Sequence, residues 1–353
     1  MRVLVIGSGK MARDAARTAL GAGCDVTVAS RDAERLAACL RHLRREVRRL
    51  EASGGPVGEV RGLLAGETPE DPFDLLFETV EEDAEAKRAV LETWLPHRAP
   101  EGLVVTNSSS LLPWEIHPEA LGLHLFYPST LTGFCEAILP EGCDGSRRER
   151  LEALAVRLGL RPIVEVGMSR AQAINRLLLP GQAWAVRAAR RGLAPERVDD
   201  AFEAAWPGWR PLAMMEAVGL ETIARSVASY RLRMDPAEAR SCEELEVGVR
   251  DRIRLGRWGP PDGQALPAGE PESLEDLSRD AEALCLGTCR RAVDSGVLRE
   301  DHLAVALSGL FGAPWPPPGL REREAAWRER RAQRWRETGW PWWRPWDGPE
   351  AGA

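Results

Sequence analysis

The opening stretch, MRVLVIGSGKMARDAARTALGAGCDVTVAS, constrains the fold more than any other part of the chain. Val3 to Ile6 form a short continuous apolar run, the pattern of a parallel strand buried on both faces. Gly7, Gly9 and Ala12 then fit G-x-G-x-x-[G/A], helix-forming sequence follows through Leu20, and Val26 to Ala29 read as a second strand. Between a strand and a helix, at the start of a βαβ unit, the motif predicts a dinucleotide-binding turn. Gly7 permits the tight turn, Gly9 lets a pyrophosphate approach the backbone, and Ala12 allows close helix packing. Lys10 and Met11 open the helix, whose free N–H groups meet phosphate charge. The competing reading is a glycine turn with no ligand.

The residue after the second strand decides which dinucleotide fits. A carboxylate near position 30 would hold both ribose hydroxyls and repel a 2′-phosphate, but the chain has Ser30 and Arg31. A hydroxyl and a guanidinium suit that phosphate, so the residues point to NAD(P) with NADP favoured over NAD. The alternative is that Arg31 stacks on the adenine.

Further strand patterns follow at 74–80 (DLLFETV), 102–111 (GLVVTNSSSL) and 121–128 (LGLHLFYP), with helical sequence at 82–95 between the first two. The alternation predicts a doubly wound α/β sheet of Rossmann type with its ligand at the strand ends. Glu78, Asn107, Ser109 and His124 lie at or just after such ends. The chain has only two lysines among 47 basic residues. Lys10 and Lys87 therefore stand out as positions where a compact ammonium is needed. A net charge of −7 argues against nucleic acid as the main partner. No segment has the roughly 20 apolar residues that span a bilayer, so the expectation is a cytoplasmic protein. Seven cysteines without a paired framework read as reduced thiols. Cys285 and Cys289 lie one helical turn apart, yet no second pair completes a zinc set, and no metal is expected.

His124 sits in an otherwise apolar strand, where a lone histidine is commonly a core residue. Glu136 follows twelve residues later, after the turn-forming PSTLTG, so a returning strand can bring its carboxylate to the ring. A histidine oriented in this way and facing a cofactor cleft is a general base, able to take a hydroxyl proton while hydride leaves the same carbon. Ser109 is placed to bind the substrate oxygen.

The series VIGSGKMA, DLLFETVEEDAEAK, TNSSSL, GLHLFYP, FCEAI and INRLLLP resembles the 3-hydroxyacyl-CoA dehydrogenase family in order and spacing, from residue 1 to about residue 265. The resemblance implies that His124 and Glu136 abstract the 3-hydroxyl proton, that Ser109 and Asn175 hold the substrate, and that Glu78 and Lys87 lie on the cofactor side. Departures accompany it. The family's acidic residue is Ser30 here, its F-N-P is F-Y-P with Tyr127, its P-G-F is replaced by RAQA at 170–173, and its aromatic G-F-Y is missing from GRWGPPDGQALPAG. The implied substrate is an acyl thioester of CoA or of acyl carrier protein. A dehydrogenase of a free hydroxy acid and a cofactor binder without turnover are the rival readings.

From about residue 166 helical signals dominate. A long apolar helix, a stop at Gly192 and a second amphipathic helix recur about 104 residues later around Gly296. The expected organisation is a dinucleotide-binding domain over 1–165, a helical domain over 166–265, and a second helical repeat with a Trp/Arg-rich tail over 266–353. Six tryptophans from 327 to 346 interleave with arginine there. Exposed, they would drive aggregation, so they are expected to pack on the body. Two helical copies in one chain predict a monomer with an internal pseudo-dimer rather than a homodimer.

Overall fold

The computed structural model describes residues 1–167, 173–232, 234, 236–260, 273–317 and 319–344. Arg170 to Gln172 of the RAQA stretch, residues 261–269 of the Gly/Pro-rich stretch, the expected boundary near 265 and Trp346 lie outside them. The chain divides into two compact units, Met1–Ser169 and Arg170–Ala353.

The first unit is built on one eight-stranded sheet. In chain order it contains β1 (Arg2–Ile6), α1 (Lys10–Gly21), β2 (Asp25–Ser30), α2 (Ala33–Ala52), β3 (Val60–Leu64), β4 (Phe73–Glu78), α3 (Ala84–Trp94), β5 (Arg98–Thr106), α4 (Pro113–Ile116), β6 (Leu121–Leu125), α5 (Ser129–Thr132), β7 (Phe134–Leu139), α6 (Gly145–Arg157) and β8 (Arg161–Val166). The strand order is β3-β2-β1-β4-β5-β6-β7-β8, and every neighbouring pair is parallel except β6 with β7. The chain therefore reverses its direction of travel across the sheet between β1 and β4, the switch point where such sheets bind ligands.

Hydrophobic cores on the two faces explain the sequence pattern. Val3 and Val5 join the cluster formed with α1, α2 and α6, while Leu4 and Ile6 join the one that includes Leu91, Trp94 and Ile116. All four are 2% exposed or less, and full burial of each such side chain contributes roughly 1.5–3 kcal/mol. Helices α2 and α3 start where short polar side chains cap them: Asp32 accepts Arg35 N at the head of α2, and Asp83 accepts Ala86 N at the head of α3.

The second unit is helical throughout its described residues: α7 (Ala173–Arg190), α8 (Pro195–Ala205), α9 (Pro211–Val218), α10 (Leu220–Arg231), α11 (Pro236–Leu255), α12 (Leu274–Asp294), α13 (Glu300–Phe311) and α14 (Leu320–Thr338). The pairs α7–α8 and α12–α13 share a left-handed glycine at the stop, Gly192 with φ 99° and Gly296 with φ 71°. Helix α12 packs on α7 and α8, and α14 lies along α12. Asp280 on α12 is fully buried and takes Arg330 Nε at 2.6 Å and Arg334 Nη2 at 2.5 Å from α14. Trp327, Trp340, Trp342 and Trp343 are buried within this unit. No described helix is long and apolar enough to cross a membrane.

Candidate functional site

The glycine turn follows β1 directly. Gly7 has φ 125°, and a Cβ there would come within 2.7 Å of Thr79 Oγ1, so only glycine fits. Thr79 Oγ1 donates to Ile6 O at 2.9 Å and closes the turn against the end of β4. Gly9 is the N-cap of α1; no side chain caps it, and a Cβ there would meet nothing within 4 Å. The first turn of α1 is thus open to an anion without reshaping, which fits a pyrophosphate. Ala12 is fully buried, whereas Met11 is half-buried against the core. Lys10 Nζ stands 4.2 Å from the centroid of the half-exposed Tyr127 ring.

At the end of β2, Ser30 Oγ lies 3.1 Å from Ser8 Oγ and also donates to Asp32 O. Arg31 is 84% exposed and reaches Glu81 Oε1 at 3.3 Å. The two residues singled out for cofactor choice therefore occupy one edge of the turn.

Between β4 and β5 lies a buried polar network. Lys87 Nζ donates to both oxygens of Glu78 and to Val80 O, each at 3.0 Å, and pairs with Glu82 Oε2 at 3.4 Å. Thr106 Oγ1 donates to Glu78 Oε2 at 2.5 Å. Burial alone would lower the Lys87 pKa, but the Glu78 and Glu82 carboxylates outweigh it and the net shift is upward. Glu82 is likewise opposed by burial, yet Lys87, Ser108 and Ser110 hold its pKa below the usual value. Its Oε1 accepts Ser108 Oγ at 2.6 Å, Ser110 N at 2.9 Å and Ser110 Oγ at 2.7 Å. Glu82 thereby fixes the loop that carries Ser109, and sequence reasoning passed over it. The available signal was its position five residues before the rare Lys87. Asn107 has a structural bond of its own, with Oδ1 accepting Leu125 N at 2.9 Å and tying the end of β6 to that of β5.

Strands β6 and β7 form the antiparallel pair in which His124 stands opposite Glu136. His124 Nδ1 lies 2.6 Å from Glu136 Oε2, with His124 6% and Glu136 0% exposed. The carboxylate holds the proton on Nδ1 and leaves Nε2 as the nitrogen free to exchange one. Phe126 packs edge-on against the ring at 4.5 Å. Burial lowers the His124 pKa to about 4, against the opposing pull of Glu82 and Glu165. The turn beyond β6 is anchored to α1: Asp14 Oδ2 accepts Ser129 N at 3.0 Å, and Thr18 Oγ1 lies 2.7 Å from Ser129 Oγ. Asn175 lies in the first turn of α7, in the second unit. Among the described residues no group of three or more His, Cys, Asp or Glu could hold a metal ion.

Residues 2–167 match the family model of the 3-hydroxyacyl-CoA dehydrogenase NAD binding domain. The first unit therefore carries a domain of the 3-hydroxyacyl-CoA dehydrogenase NAD binding type. A probable 3-hydroxybutyryl-CoA dehydrogenase of Bacillus subtilis (strain 168) is 26% identical over 282 residues, 75% of this chain and 96% of the relative. A 3-hydroxybutyryl-CoA dehydrogenase of Bradyrhizobium diazoefficiens is 27% identical over 236 residues, 63% of this chain and 80% of that one. The crystal structure of 3-hydroxybutyryl-CoA dehydrogenase from Escherichia coli K12 shares the fold with a TM-score of 0.69 at 18% identity, over 98% of this chain and 97% of that one. The fold likeness thus extends through the helical half, beyond the residues that the family model matches.

Proposed function

We propose that this chain is a dehydrogenase interconverting 3-hydroxyacyl and 3-oxoacyl thioesters, with a nicotinamide cofactor held on the turn after β1. The observation that carries the reading is the buried His124–Glu136 pair, 2.6 Å apart, in a sheet of dinucleotide-binding topology. Relatives that carry the name 3-hydroxybutyryl-CoA dehydrogenase support a CoA thioester in preference to a carrier-protein one. Gly7 makes the turn and Ala12 packs the helix, so that the open helix start at Gly9, Lys10 and Met11 would hold the pyrophosphate, with Ser30 and Arg31 at the adenosine ribose, where a guanidinium favours NADP. Glu78, Lys87 and Asn107 fix the strand ends against which the nicotinamide half would lie. The cofactor's nicotinamide would supply the acceptor or donor of the hydride at C3 of the substrate.

In the oxidative direction His124 Nε2 takes the 3-hydroxyl proton as the C3 hydride departs, and Glu136 stabilises the imidazolium that forms. In reduction the same nitrogen returns the proton to the 3-oxo group. Ser109 and Asn175 are assigned to the substrate oxygen and the acyl group. Because burial keeps the free imidazole neutral, the base is ready at neutral pH.

A matrix of NADH and NADPH against acetoacetyl-CoA, its carrier-protein counterpart and free acetoacetate tests the reading. Turnover is expected with acetoacetyl-CoA, and turnover confined to free acetoacetate would overturn the thioester assignment. His124→Ala should lose about 10²–10⁴-fold in kcat while cofactor binding persists.

A further inference from the structure

The adenosine edge of the turn holds a charge arrangement that the family likeness does not explain. In the sheet β1 lies between β2 and β4, so the loops after β2 and β4 flank the Gly7–Gly9 turn from both sides. Arg31 is the first residue after β2 and Glu81 the third after β4, and their side chains meet across β1 at 3.3 Å. Next to Arg31, Arg35 Nε lies 3.5 Å from Asp32 Oδ2. Each guanidinium at this edge thus already faces a carboxylate.

We propose that Glu81 is a specificity-determining residue that competes with the cofactor's 2′-phosphate for Arg31. The inference rests on the dinucleotide reading above and deepens it. Arg31 gives its Nη2 to Glu81, and that nitrogen is one of those a bidentate bond to phosphate would use, so the two acceptors compete for it. The pair is solvated, with Arg31 84% and Glu81 49% exposed, so a dianionic phosphate displaces Glu81 readily. The carboxylate then remains within the roughly 8 Å over which charges act at physiological salt, and it repels the phosphate. A ribose with a free 2′-hydroxyl brings no charge and meets neither effect. Glu81 therefore narrows the advantage that Ser30 and Arg31 give to NADP, and this edge accepts both cofactors.

The test is a fluorescence titration of NADPH and NADH against the full chain, its Glu81→Gln variant, and Glu81→Gln combined with Arg31→Ala. Glu81→Gln should tighten NADPH by about 3- to 5-fold at low salt, the upper range for an exposed pair, and change NADH less than about 2-fold. The gain should shrink at high salt and vanish in the Arg31→Ala background. Unchanged NADPH binding, a gain that survives without Arg31, or a weakened NADH complex would overturn the proposal; the last would make Glu81 a ribose ligand. If the unmodified chain binds neither cofactor, the dinucleotide reading itself falls, whereas NADH binding with no response at Glu81 removes the competition alone.

Discussion

Lys87→Met offers a severe test of the buried network, because it removes the charge while keeping most of the volume. The ammonium makes three hydrogen bonds of 3.0 Å, two of them to Glu78, and an ion pair of 3.4 Å to Glu82. Glu78 is fully buried and cannot turn to water; it keeps only Thr106 Oγ1 and Val80 N as donors. Breaking a buried pair by removing one partner typically costs about 3–5 kcal/mol, much of it from the charge left behind. Urea unfolding followed by hydrogen exchange of peptides from β1, β4 and β5 reports on this unit separately from the tryptophan-rich helices. A loss under about 1 kcal/mol would refute the reasoning. Because Glu82 also fixes the Ser108–Ser110 loop, surviving protein should show a raised KM for the thioester.

The base assignment has a pH signature. With the His124 pKa held down to about 4, the acid limb of kcat/KM for hydroxyacyl oxidation should fall well below 6.5, and a limb at or above 6.5 would count against burial of the imidazole. The same depression acts on stability: between about 4 and 6.5 the unfolded chain binds more protons, so the fold should lose stability as pH falls through that window, and His124→Gln should flatten the dependence in urea titrations. Gly7→Ala forces a Cβ to within 2.7 Å of Thr79 Oγ1 at φ 125°; it should cost more than about 1 kcal/mol and abolish cofactor binding by calorimetry. Deleting residues 322–353 strips Asp280 of both arginines and uncovers the faces under Trp340 and Trp343, so light scattering should show association or precipitation of the truncated form and a monomer for the full chain. A stable full-length dimer whose truncation keeps its mass and melting temperature would refute the internal pairing.

The first βαβ unit was legible because a parallel strand covered on both faces has to be apolar at every position, and Val3 to Ile6 carry no other message. Strand β3 was not, because it is the sheet edge and its Arg61 and Gly62 lie exposed, so alternation never develops. Strand β5 begins four residues earlier than its apolar run and stops at Thr106, since RAPE at its start carries no strand signal and the NSSS that follows is held by side-chain bonds. Its pairing with β4 changes register between Phe73 and Leu75, an irregularity that no periodicity announces.

At the site, the His124–Glu136 contact was readable because a twelve-residue separation across a turn has few solutions when both flanks are strands. Glu82 was hidden by its company: Glu81, Glu82 and Asp83 look like the solvated start of an acidic helix, and only the fold separates their fates. Asp83 caps α3, Glu81 turns out to Arg31, and Glu82 turns in to Lys87 and the serine loop. Three adjacent carboxylates thus act on helix initiation, the edge of the glycine turn and the serine loop. The distinction arises from the sharp exit of the chain at the end of β4, where successive side chains face different neighbours, and composition carries no trace of it.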